Sequence, residues 1–256
     1  MEASQRPTIA VFDSGVGGMT ILASLVKKIP DASYVYFGDT ANAPYGSRST
    51  DEIFALSSGA IEKLLTYKPA VIVIACNTAT STSIVKIREK FPTMIVVGVE
   101  PAVKPAVIVS NKKKIIVVAT TATLQSDSYQ ALKNTWAAGV EVLDLPKPEW
   151  VRMVEESKID DDILSADAAD IVASGADTLV LACTHFPFLK RKLQQLMPDM
   201  MIIDSAEPVA QRVWRGLGEP KSTVKQPAAI TWLFSDPQGP NEMAHQILWT
   251  KALEIG

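Results

Sequence analysis

Val71-Ile-Val-Ile-Ala-Cys-Asn-Thr78 and Thr178-Leu-Val-Leu-Ala-Cys-Thr-His185 follow one pattern: four strand-forming residues, an alanine, a cysteine, then side chains that hydrogen-bond. A second matching pair lies earlier in each half, where Thr8-Ile-Ala-Val-Phe-Asp-Ser14 corresponds to Ile115-Ile-Val-Val-Ala-Thr-Thr121. Asp13 and Cys76 are 63 residues apart, and so are Thr120 and Cys183. Chance similarity between apolar strands does not preserve such an interval. The chain therefore reads as a duplicated half offset by 107 residues.

Outward from these strand ends, short apolar runs alternate with longer helix-like segments, the signature of βαβ units and parallel sheets. Strands are predicted at residues 8–12, 34–37, 71–75, 95–99, 115–119, 140–143, 178–182 and 201–203. Helices are predicted at 18–29, 50–67, 80–91, 126–138, 160–174 and 189–197. The near-continuous Val, Ile and Leu character of several strands implies burial on both faces. The fold class is α/β, with two pseudo-symmetric domains, each a mainly parallel sheet flanked by helices. Residues 1–99 together with 208–256 form the first domain and residues 100–207 the second. Prolines at Glu100-Pro101 and Ala206-Glu207-Pro208 mark the junctions. Ligands bind beyond the carboxyl ends of strands in open parallel sheets. Each half therefore offers a strand-end cysteine to a cleft between the domains.

Composition narrows the function classes. Hydrophobic residues at 47% and charged residues at 21% describe a globular protein. A net charge of −3 gives no basis for a nucleic-acid or anionic-membrane partner. The one tight basic run, Lys112 to Lys114, reads as a solvated turn into the next strand. Met1-Glu-Ala-Ser-Gln-Arg-Pro7 lacks the apolar core of a secretory signal, and no apolar stretch is long enough to span a bilayer. With two cysteines and no Cys-x-x-Cys, neither a disulfide framework nor a zinc site is expected, and a cytoplasmic setting follows.

A single cysteine at a strand end is ordinarily a small buried hydrophobe. Here both cysteines occupy equivalent strand ends, and the amides opening the following helix are expected to favour thiolate. Two acid/base groups on opposite faces of one carbon are what stereoinversion requires. One thiolate removes an α-proton and the opposite thiol protonates the other face. His185, two residues after Cys183, is a plausible proton partner. His245 lies in a polar tail and is given no role. Asp13-Ser-Gly-Val-Gly-Gly18 follows a strand and precedes a helix, yet Thr20 stands where a dinucleotide fingerprint needs its third glycine. Gly15, Gly17 and Gly18 are instead expected to let the backbone approach a small ligand. For Thr80 and Thr123 simple helix capping is the expected role.

Four motifs, in order over essentially the whole chain, carry a family resemblance. Val11-Phe-Asp-Ser-Gly-Val-Gly-Gly18, Tyr36-Phe-Gly-Asp-Thr40 with Ala43-Pro-Tyr-Gly46, Ala75-Cys-Asn-Thr78 and Ala182-Cys-Thr-His-Phe-Pro187 resemble the glutamate racemases of the aspartate/glutamate racemase family. The resemblance implies interconversion of L- and D-glutamate, cytoplasmic supply of D-glutamate for peptidoglycan, and commonly a homodimer. It also implies no pyridoxal phosphate, other cofactor or metal. Carried over by motif, Cys76 and Cys183 are the acid/base residues, Asp13 assists Cys76, and His185 assists Cys183. Glu155, within Val151-Arg-Met-Val-Glu-Glu156, resembles a second family carboxylate. The stretch before it departs from the pattern, with Leu145 in place of a cysteine and a longer Pro148-Glu-Trp150 run, so Glu156 is the alternative. Substrate contacts are expected from Asp13, Ser14, Tyr45, Gly46, Asn77, Thr78, Thr184 and His185, with Thr120 and Thr121 as further candidates.

Three rival readings remain at this level. An aspartate racemase or related two-cysteine isomerase shares the chemistry, although Cys183-Thr-His185 and the Asp13–Gly18 loop favour glutamate. A thiol hydrolase with Cys183 as nucleophile and His185 as base leaves Cys76 and the duplication unexplained. A non-catalytic amino-acid-binding protein leaves the acid/base residues without purpose.

Overall fold

The structure, a computed structural model, describes residues 6–220, 228–236 and 242–255. The chain opens with β1 (Thr8–Asp13), α1 (Met19–Lys28), β2 (Ser33–Gly38), α2 (Thr50–Leu65), β3 (Val71–Ile74), α3 (Asn77–Lys90) and β4 (Val96–Gly98). After a short helix α4 (Val103–Val109) come β5 (Lys114–Ala119), α5 (Thr121–Gln125), α6 (Asp127–Trp136) and β6 (Glu141–Pro146). The second half continues through α7 (Pro148–Glu155), α8 (Asp161–Ala173), β7 (Thr178–Leu181), α9 (Lys190–Leu196) and β8 (Met201–Ile203). Finally α10 (Ala206–Gly216), β9 (Ile230–Phe234) and α11 (Glu242–Ile255) follow.

The strands form two parallel sheets, ordered β4-β3-β1-β2-β9 and β6-β5-β7-β8. Read from the other edge, the second order is β8-β7-β5-β6, so it superposes on β4-β3-β1-β2 strand for strand. The duplication seen in the sequence is thus a duplication of topology. β3 and β7 are central strands with every residue buried, which is why their sequences are continuous rather than alternating. Full burial of side chains such as Ile9, Val73, Ile116 and Leu179 is worth about 1.5–3 kcal/mol each, and these residues anchor the two sheets.

Elements outside the repeat were not foreseen. β9 (Ile230–Phe234) pairs with β2 on the first sheet, and Trp232 and Phe234 pack on Tyr36. The helices α4, α5, α7, α10 and α11 also lie outside the predicted set. The helix predicted from residue 80 starts at Asn77 instead, because Cys76 is its N-cap and the Sγ accepts the Ala79 N–H at 3.4 Å. Lys112 and Lys113 are exposed in a turn whose amides at 111 and 112 are bound by the Asp177 carboxylate. Among the described residues no helix is long and apolar enough to cross a membrane.

Tyr34 shows how a strand sets a helix end. Its buried hydroxyl reaches the carbonyls of Leu25 and Ile29 at 2.9 and 2.8 Å, tying the last turn of α1 to β2. Tyr34→Phe keeps the ring and removes this donor, so it should lower unfolding stability by about 1 kcal/mol in urea titrations. An unchanged midpoint would show that the carbonyls do not need it.

Candidate active site

Cys76 and Cys183 sit one alanine beyond the ends of β3 and β7, the equivalent strands of the two sheets. Both are buried free thiols and both line one cavity of about 20 Å³. Its walls come from both halves. Ser14, Tyr45, Gly46, Asn77 and Thr78 belong to the first, and Thr120, Val151, Glu155, Thr184 and His185 to the second.

On the second half, the His185 ring lies between a thiol and a carboxylate. Its Nδ1 lies 3.6 Å from the Cys183 Sγ, and its Nε2 lies 2.5 Å from Glu155 Oε1. Glu155 also accepts the Val16 N–H of the first half at 3.2 Å. Burial alone would strip the charge from His185. The Glu155 carboxylate and the Cys183 sulfur outweigh it and raise the imidazole well above its ordinary range. Burial likewise opposes the Glu155 charge, but His185 and the Val16 amide hold that carboxyl below its usual value. Glu155 and His185 therefore form an ion pair. Glu156 is exposed and does not line the cavity.

On the first half, Asp13 accepts the Gly15 N–H at 2.9 Å and the Thr184 hydroxyl at 3.2 Å. Burial raises its carboxyl, with His185 and the backbone donors pulling the other way. Cys76 departs from expectation. The N-terminal amide is in place on its sulfur, yet burial and the neighbouring Asp13 charge dominate and push the thiol up to about 12. A helix N-terminus favours thiolate only while the anion keeps some solvation, and this sulfur is enclosed. The two thiols thus differ in electrostatics: Cys76 faces an acid, Cys183 an imidazolium.

The glycine loop lies against side chains of the second half. A Cβ at Gly15 would lie 2.0 Å from Glu155 Oε1, and one at Gly17 would lie 2.6 Å from His185 Nδ1 and from Thr184 Oγ1. These glycines admit the side chains of the other half. The loop is held in turn by Tyr36, whose hydroxyl donates to the Gly15 carbonyl at 2.8 Å.

The remaining predicted residues differ in their surroundings. Asn77 is buried and, among the described residues, its Oδ1 has no partner, which leaves an acceptor at the cavity. Thr78 bonds across the halves to Thr120 at 2.9 Å, and Thr120 caps α5 by accepting the Thr123 N–H. Capping thus falls to Thr120 rather than Thr123. Thr80 is not a cap either, because it joins the Ile74 carbonyl to the Val99 amide. Thr184 is occupied by Asp13, and its carbonyl accepts from Thr20 at 3.0 Å. The Tyr45 hydroxyl donates to Asp39 at 2.5 Å, leaving its ring and Gly46 to form the wall. Thr121 is exposed and lies outside the cavity. His245 packs its ring on Trp232 and Phe234, away from the thiols. Sequence reasoning missed Thr20, Tyr36 and Asp39 as supports, although the latter two stand in a motif it quoted.

Two parallel α/β halves meeting at equivalent strand ends is the architecture of α/β racemases. The fold matches Escherichia coli glutamate racemase, solved with L-glutamate and the activator UDP-MurNAc-Ala, at a TM-score of 0.85 and 29% identity over 96% of each chain. It matches the Francisella tularensis enzyme, solved with D-glutamate, at 0.79 and 27% identity over 97% of this chain and 94% of that one. In sequence, the glutamate racemase of Ectopseudomonas mendocina is 38% identical over 93% of both chains. The sequence model of the Asp/Glu/Hydantoin racemase family matches residues 17–213, and the chain belongs to that family.

The Glu155–His185 pair sets a pH signature. Glu155 has a lowered folded pKa, so its contribution is present above its unfolded value, roughly 4.3, and is lost as pH falls through the folded one. His185 has a raised folded pKa, so its contribution is complete below roughly 6.5 and is lost as pH rises through the folded value. The difference in Tm between wild type and Glu155→Gln should therefore peak at about pH 5–6.5 and shrink on both sides. A difference independent of pH, measured by thermal melts, would mean that the pair is not charged.

Proposed function

We propose that the chain interconverts L- and D-glutamate by a cofactor-independent, two-base mechanism. The observation that carries this reading is the presence of both thiols, from equivalent strand ends of the two sheets, in the wall of one cavity. Family membership and the named relatives support the substrate.

In this reading Cys183, beside the His185 imidazolium, takes the α-proton of L-glutamate as thiolate, and Cys76 delivers a proton to the opposite face. The neutral state imposed on Cys76 by burial suits the donor's role. For D-glutamate the roles reverse, with Asp13 as the group that relieves Cys76 of its proton. The open Asn77 Oδ1 accepts from the substrate ammonium, and Ser14, Thr78 and Thr184 bind the remainder once substrate displaces their present partners. A cavity of about 20 Å³ holds about one water. Entry of an amino acid thus needs the two domains, 1–99 with 208–256 and 100–207, to part about the connections near 100 and 206. Closure then shields the carbanion from water. The product would serve peptidoglycan synthesis in the cytoplasm, from a homodimer.

Purified protein should racemise L-glutamate, with aspartate as the control substrate, in a chiral chromatographic assay. Cys76→Ser and Cys183→Ser should each lower the rate by about 10²-fold or more, since a hydroxyl is a far poorer base than a thiol. Residual exchange should be one-sided in deuterated water: Cys183→Ser washes out the α-proton of D-glutamate faster, and Cys76→Ser that of L-glutamate. Near wild-type racemisation by either variant overturns the two-thiol mechanism.

The cofactor question has its own test. Activity should survive exhaustive treatment with a chelator and with a carbonyl reagent that captures pyridoxal phosphate. Loss restored only by adding back a metal or pyridoxal phosphate would refute cofactor independence.

A further inference from the structure

The stretch that departs from the family pattern, Leu145 to Glu155, forms the end of β6 and the whole of α7. Glu155 is the last residue of α7, and Val151, one turn earlier, lines the cavity. The first turn of the helix is bonded to α8. There Trp150 is fully buried, and its indole N–H donates to Asp167 Oδ2 at 2.7 Å. The second oxygen of Asp167 takes the Lys147 ammonium at 2.5 Å, and both members of that pair are largely buried. Trp150 also presents its ring to the edge of Phe186, at 5.3 Å and 74°, and Phe186 directly follows His185.

We infer that Asp167 is a positioning residue: by clamping Trp150 and Lys147 at the head of α7, it fixes the helix that delivers Glu155 to His185. The inference rests on the racemase reading for the importance of His185 and on geometry for the clamp. Replacing a buried ion pair with apolar residues is often neutral or stabilising. The pair's value here lies in orientation. Both oxygens of one carboxylate on α8 set the rotation and axial position of α7. A helix of eight residues, held at its first turn, then carries that setting to its last residue. Trp150 transmits the same setting a second time, through Phe186 to the backbone beside His185. Displacement of an acid/base group by about 1 Å can cost up to about a hundredfold in rate.

The test uses the full chain and reads both kinetics and the state of His185. The chain has two histidines, so labelled-imidazole NMR resolves them, with His245→Gln as the assignment variant. The groups facing His185 are Glu155, Cys183 and Asp13, and none of them is altered by the substitutions. Trp150→Phe removes one N–H and keeps an aromatic ring. Asp167→Ala removes both contacts, and Asp167→Asn retains an acceptor for the indole. Trp150→Phe and Asp167→Ala should lower kcat by about tenfold or more, with KM within about twofold, and should move the His185 titration toward that of an ordinary imidazole. Asp167→Asn should recover most of both. If kcat falls while the His185 titration stays fixed, or if only Tm changes, the clamp does not act through Glu155 and the inference fails. Should Asp167→Ala not fold, Trp150→Phe alone decides. Absence of racemase activity in the wild type would sink the functional reading instead, and the titrations would still judge the clamp.

Discussion

A carboxylate and an imidazole can remain charged in a closed interior only if each answers the other, and Glu155 with His185 does so here. Most of the site depends on that pair. Its imidazole reaches Cys183 through the far nitrogen of the ring, and its carboxylate reaches over to the Val16 amide of the opposite half. The close approach of the halves follows from it. A side chain at position 15 or 17 would meet Glu155, or Thr184 and His185, in their present places, and glycine avoids that contact.

The opposite wall is organised by different electrostatics. Asp13 is buried with backbone and hydroxyl donors, and Cys76 is buried beside it. The two strand ends have the same topology but opposite local charge. Duplication supplied two thiols at matching positions. Divergence of the residues around them set an acid beside one thiol and an imidazole beside the other.

How far the sequence carried the reading depends on the kind of signal. The central strands were legible because a strand buried on both faces is a continuous apolar run, and β3 and β7 are that along their whole length. The thiols were legible because the repeat placed them in register. β9 was missed because it is an edge strand with no counterpart in the second sheet, and Ile230-Thr-Trp-Leu-Phe234 taken alone is too short to decide. α7 was missed because it is brief and opens on a proline, which reads as a loop until Pro148 is recognised as a first-turn residue. The raised Cys76 thiol was not legible either. Helix position can be read from sequence, whereas enclosure by the other half cannot.

The strand order also has a bearing on how the chain is made. β5 to β8 come from one unbroken run, so the second sheet can assemble as soon as that run has left the ribosome. The first sheet cannot be completed then, because its fifth strand lies beyond the entire second sheet in the chain. Until β9 arrives, β2 presents an open edge, with Tyr36 lacking the aromatic cover of Trp232 and Phe234. An uncovered strand edge invites pairing with other nascent chains. The half that is synthesised first is therefore the half whose sheet is completed last.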